Sequence, residues 1–178
     1  VPALPALATA ADLTDYGYDS VPAGMLDRAS VRVRRYTGQQ ITAGSSVVTL
    51  PGPSYHLPQR PVNEVTSVQT LDGGDVEYEL CYGGYVRPRF KRFHPIVVGY
   101  NHGYDTLPDA VIEVVCSVAA RMSATPAAVG SGAQTEQAGG ESVTWGSDAY
   151  AGTTGLTRAE RKELDRLFPR IPKTVRLL

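Results

Sequence analysis

Neither sign of charge is in excess in this chain: 17 Lys and Arg stand against 18 Asp and Glu, a formal net charge of −1. So close a balance leaves no global field to gather nucleic acid or an acidic membrane surface. No apolar run approaches the length of a bilayer span. The first residues carry no basic stretch followed by an apolar one, so neither a membrane helix nor a secretory leader is expected, and folding in a cytosol is. Cysteine is scarce: Cys81 and Cys116 are the only two, far apart and at no metal-ligand spacing. Cys116 falls on an apolar helical stretch, where a buried free thiol is expected; a Cys81–Cys116 disulfide is the alternative. Histidine is scarce too. His56, His94 and His102 are the three; no two share helical spacing, and no His/Asp/Glu cluster has ligand spacing. The sequence therefore predicts no metal site and no cofactor.

Catalytic patterns are equally thin. His102 lies in a tight turn with Asp105 three residues on, but no Gly-x-Ser-x-Gly elbow accompanies it, and Ser131 sits in a low-complexity stretch. His102 is expected to be a turn residue, with a small hydrolase as the rival reading. Neither the dinucleotide glycine pattern nor the Gly-Lys-Ser/Thr phosphate loop occurs between a strand and a helix. Glu77 and Glu79 share one strand face, which solvent exposure explains. No catalytic residue is assigned, and an enzyme is not expected.

What is present is punctuation and pattern. Glycine at 18, proline at 13 and tyrosine at 10 in 178 residues imply many turns and some strand within one domain. The organising stretch is 96–122: a short apolar strand (96–100), a turn, then a helix from Pro108 with apolar residues at 111, 112, 114, 115, 116, 118, 119 and 122. Pro108 suits a first helical position and Asp109 complements the helix dipole. The rest of the chain is expected to pack on this helix. Helices are also predicted at about 10–16, 22–37 and 158–167, the last opened by the capping box Thr157-Arg158-Ala159-Glu160. Residues 1–8 read as an extended arm. From about 41 to 100 the pattern turns to strand, with a hairpin at Asp72-Gly73-Gly74-Asp75 joining apolar positions 65, 68 and 71 to 76, 78 and 80.

Residues 123–140 are of low complexity and expected to be flexible, and Glu141-Ser142-Val143-Thr144-Trp145 reads as an isolated strand. The fold class is thus α+β: a small helical bundle with an inserted antiparallel sheet, a single domain over 9–167 between extended N- and C-terminal arms. Two basic patches remain. Arg87, Arg89, Lys91 and Arg92 are interleaved with Phe90 and Phe93, a composition that suits phosphate contacts with stacking, or else a solvated loop. The C-terminal tail, 168–178, is basic, apolar and broken by two prolines. Phe168, Arg170, Ile171, Lys173, Val175, Arg176, Leu177 and Leu178 make it a docking segment rather than a free polar end.

In order and spacing these pieces resemble the head–tail connector (head-to-tail adaptor) proteins of long-tailed bacteriophages, especially those of actinobacterial hosts. The resemblance runs from Arg34-Arg35-Tyr36-Thr37-Gly38 through Leu57-Pro58-Gln59-Arg60-Pro61-Val62 and the hairpin at Gly73-Gly74. It continues in Val98-Gly99-Tyr100-Asn101-His102-Gly103-Tyr104, Leu107-Pro108 and the Ala/Val-rich helix. Gly139-Gly140-Glu141-Ser142-Val143-Thr144-Trp145, the helix start at 156–160 and the basic tail complete it. The resemblance implies a virion protein of the neck, assembled in the host cytoplasm as a dodecameric ring under the portal protein. Neighbouring copies, a downstream neck or tail-completion protein and the packaged double-stranded DNA in the lumen would be its partners. The tail would dock on the portal, and the 87–92 patch would face DNA or a neighbouring subunit. Another neck or tail-completion protein, and a protein- or sugar-binding module built on Tyr78, Tyr82, Tyr85 and Tyr100, are the alternatives.

Overall fold

The computed structural model describes residues 4–52, 54–89, 94–124, 135–138, 141–144 and 156–169. The chain divides into two compact units, Val1–Thr37 with Pro108–Leu167 and Gly38–Leu107 with Phe168–Leu178.

The first unit is helical. Thr9 opens α1 (Ala10–Asp15) with a reciprocal capping box, its backbone N–H donating to Asp12 Oδ2 at 2.6 Å, and Leu13 is buried. The next helix, α2 (Gly24–Thr37), starts two residues after Pro22, because the first bonds, Met25 N to Pro22 O and Leu26 N to Ala23 O, close a three-residue turn. Leu26, Ala29, Ser30 and Val33 form its buried stripe, the i, i+3, i+4, i+7 pattern of a helix with one covered face. Gly38, at φ +69, supplies the left-handed residue that ends it.

Residues 4–8 do not wave free. Ser30 Oγ accepts the Leu7 N–H at 2.8 Å while donating to Leu26 O, and Arg34 Nη2 reaches Pro5 O at 2.8 Å. Leu7 is thereby 1% exposed. α3 (Asp109–Ala124) carries Val111, Val114, Val115, Cys116, Val118 and Ala119 inward, and packs chiefly against α2. Each fully buried valine here contributes about 1.5–3 kcal/mol of apolar transfer. The last helix, α4 (Arg158–Leu167), is capped by Thr157 as predicted, with Leu164 fully buried. Arg121 Nη2 donates to both Glu160 oxygens at 2.8 Å, and Tyr36 OH to Asp165 Oδ2 at 2.9 Å, tying α3 and α2 to α4.

The second unit is a sheet with its own core, a correction to the expectation that everything packs on α3. The strands β1 (Gly44–Leu50) and β2 (Val62–Thr70) flank β5 (Ile96–His102), both antiparallel to it. Ser46, Val48 and Leu50 lie opposite Tyr100, Val98 and Ile96, and Val65 and Val68 complete the row from β2. That period of two sends one face into a cluster of Leu50, Tyr55, Leu57, Val65, Val68, Val86, Ile96, Val98 and Tyr100. A second pair, β3 (Tyr78–Cys81) and β4 (Tyr85–Pro88), is closed at Gly83 and Gly84, both at positive φ. Residues 55–57 run beside β4, with Leu57 N bonded to Gly84 O and Val86 N to Tyr55 O. His56 thus faces Tyr85 with ring centroids 4.9 Å apart.

The expected hairpin at 72–75 forms its turn but not its ladder. Beyond Val76 N to Val68 O and the Gln69–Asp75 bridge, the chain leaves β2 and takes β4 as its partner. Consequently Tyr78 and Leu80 are 37% and 41% exposed rather than core. β7 (Glu141–Thr144) is not isolated either: it pairs with β6 (Thr135–Ala138), inside the stretch read as flexible. The remainder of that stretch beyond Ala124, and Trp145, lie outside the described residues.

Candidate functional site

The sequence offered two places for function in the second unit, the turn after β5 and the basic patch after β4. The turn is built by Gly103, at φ +87, whose N–H bonds to Pro61 O while Tyr104 N bonds to Ile41 O and Ala43 N to Tyr104 O. Ile41 is held at φ +70, a left-handed conformation that a β-branched residue adopts only under constraint. Its 1% exposure and the Tyr104 bond supply that constraint.

His102 is not a turn residue but the last residue of β5, and its side chain is in the core at 1% exposure. Its Nε2 meets Ser46 Oγ at 2.8 Å, and its ring tilts against Tyr100 at a centroid distance of 5.3 Å. Burial holds the imidazole below its ordinary value of 6.5, so it is neutral at pH 7. Ser46 escaped sequence reasoning. The signal was there in the strand period, since 46 in β1 and 100 and 102 in β5 share the inward face.

Asp105 lines an open cleft of about 870 Å³ together with His102, Asn101, Glu64, Asn63 and Ser45. Asn101 Nδ2 donates to Glu64 Oε2 at 3.1 Å, which orients the carboxylate along the sheet. Among the described residues His102 Nδ1 has no hydrogen-bond partner, and no described carboxylate orients the ring toward Ser46. A serine relay needs that third group. The pair is a buried polar contact between strands.

At the basic patch the structure places Arg87 and Arg89, while Lys91, Arg92, Phe90 and Phe93 lie outside the described residues. Arg87 Nη1 sits 3.3 Å from Glu79 Oε2, both side chains more than half exposed. A pair so exposed contributes little to stability, but it halves the charge presented there. Arg89 joins Asp75, Val76, Glu77 and Tyr78 around an open cavity of about 460 Å³. The described basic residues therefore stand among carboxylates.

The four tyrosines of the binding-module reading do not make one surface. Tyr100 is 1% exposed in the core, Tyr82 is fully exposed, and Tyr78 donates its OH to Val65 O at 3.1 Å. Both cysteines are free, and burial pushes the Cys116 thiol up to about 11, leaving it inert as a thiol. Among the described residues no three His, Cys, Asp or Glu could together hold a metal ion, and no helix is long and apolar enough to cross a membrane. Of the predicted docking tail, Phe168 is described: it is 5% exposed and packs edge-on against Tyr104 at 6.2 Å. Residues 170–178 lie outside the described residues.

No protein-family model matches this chain, and no curated protein does. The solved structures to which it is similar include two chains from particle necks. One is a chain from the neck of an empty GTA particle, computed with C6 symmetry, at TM-score 0.51 and 17% identity over 84% of this chain and 90% of that one. The other is from the neck of a native GTA particle, computed with C12 symmetry, at TM-score 0.49 and 14% identity over 86% of this chain and 90% of that one. The first of these fixes the likeness of fold, at a level of identity where fold is what is shared.

Proposed function

We propose that this chain is a structural subunit of the neck of a phage-like particle, a head-to-tail adaptor rather than an enzyme. The observation that carries the reading is the shared fold with a particle-neck chain across 84% of this sequence. The ordered series of sequence features that resembles phage head–tail connectors, and actinobacteriophage ones in particular, points the same way. In this reading copies of the chain form a dodecameric ring beneath the portal protein, extend the DNA channel and offer a surface to a downstream neck or tail-completion protein. Assembly takes place in the host cytoplasm.

Residues 170–178, including Arg170, Ile171, Lys173, Val175, Arg176, Leu177 and Leu178, dock on the portal. Arg87 and Arg89, with Lys91 and Arg92, face the lumen or a neighbouring subunit. Their carboxylate neighbours suit a channel through which DNA slides, since strong phosphate neutralisation would hold it. A chain ending at Pro169 tests the docking role. It should still fold, with its helix content unchanged by circular dichroism, and fail to yield DNA-filled infectious particles. Infectious particles from the shortened chain would overturn it.

A further inference from the structure

The two edges of the three-stranded sheet are finished differently. The outer edge of β2 is covered by the chain that follows it: Val68 O accepts Val76 N–H at 2.9 Å, Val65 O accepts the Tyr78 hydroxyl at 3.1 Å, and Thr70 N–H reaches Gly74 O. Against β1 no described strand lies on the side away from β5, and no described backbone group bonds there. Nor is β1 protected by its own sequence. Gly-Ser-Ser-Val-Val-Thr-Leu has no charge, no proline and no bulge, and Val47 is 76% exposed. Lone edges in folded proteins carry lysine, proline or a twist that spoils pairing. An edge this plain is built to receive a strand.

We propose that the occupant is the chain's own C-terminal segment, residues 173–178, added as a fourth strand along β1 in the free subunit. The chain leaves the described residues beside the start of β1. Phe168 packs on Tyr104, and the Tyr104 carbonyl holds the N–H of Ala43, the residue before β1. The nine residues from Arg170 onward span about 30 Å when extended, against about 23 Å for the seven of β1. Running away from Phe168, the segment would lie parallel to β1.

Pro172 offers no N–H, so pairing starts after it. Lys-Thr-Val-Arg-Leu-Leu then alternates, with Lys173, Val175 and Leu177 on one side and Thr174, Arg176 and Leu178 on the other. In one register Val175 and Leu177 extend the inward row of Val48 and Leu50, while Arg176 lies on the outer face beside Val47. The new edge then carries Lys173 and Arg176, the charges that β1 lacks. The inference stands without the neck reading. Where that reading holds, the portal takes the same segment from this seat.

The test is amide hydrogen exchange on the full chain, on a chain ending at Pro169, and on Val175→Pro, which removes a ladder N–H and leaves length and charge intact. The β1 amides that point away from β5 should exchange at least about tenfold more slowly in the full chain than in either variant, with amides inside the β5 ladder unchanged. Equal exchange in all three chains overturns the proposal. Protection of β1 that survives in the shortened chain and rises with protein concentration overturns it as well, and assigns the edge to a second copy.

Discussion

Replacing Gly103 by alanine should destabilise the sheet unit by about 3–4 kcal/mol, and the structure allows the parts to be separated. Gly103 sits at φ +87, where an L-residue costs about 1–2 kcal/mol from backbone sterics alone. Beyond that, a Cβ at this position would overlap the Thr42 carbonyl and lie 2.9 Å from Ala43 N. Backbone cannot swing aside as a side-chain tip can. Relief requires loosening Ala43 N to Tyr104 O and Tyr104 N to Ile41 O, now 3.0 and 2.8 Å, each worth about 1 kcal/mol net. Gly73 provides the control within the same unit. Its φ is +85, nearly identical, and nothing lies within 4 Å of a Cβ built there. Gly73→Ala should therefore show the backbone penalty and Gly103→Ala that penalty plus the clash. Urea unfolding followed by far-UV circular dichroism reads both. A difference of less than about 0.5 kcal/mol between the two variants would refute the close approach as the reason for glycine at 103.

Arg121→Ala should cost about 1–3 kcal/mol, since it removes two charge-assisted bonds of 2.8 Å from a carboxylate whose side chain is 11% exposed. A double-mutant cycle with Glu160→Ala should give coupling above about 0.5 kcal/mol, and additivity would contradict the pairing. Stability should fall as pH drops through 6.5. His102 and His56 are both held below that value, His102 by burial and His56 by burial and then by Arg60. The unfolded chain therefore takes up protons that the native state refuses, and the penalty grows until the folded-state values are passed. Substituting His102 by glutamine should flatten that slope; an unchanged slope would remove His102 from the account.

The helices were legible because their signals are local. Thr157 and Glu160, Pro108 and Asp109, and the apolar spacing on α3 each act within a turn or two of chain. The strand partners were not. Val76, Tyr78 and Leu80 alternate cleanly whether they pair with β2 or with β4. The choice depends on the reversal closed by Gly83 and Gly84, which hands the strand to β4 and which no periodicity reveals. His102 was misplaced for a related reason. Its neighbours Asn101 and Gly103 read as a turn, yet β5 continues to His102 because β1 and β2 both reach that far in register. Of the candidate sites, the chemistry of the basic patch was visible, but the pairing of Arg87 with Glu79 depends on a cross-strand neighbour eight residues away.

Sedimentation of the purified chain, alone and mixed with portal rings from the same source, tests the central claim most directly. The neck reading predicts co-sedimentation that saturates near one copy per portal subunit and is lost when the chain ends at Pro169. A chain that sediments as a monomer and ignores the portal at every ratio would contradict it.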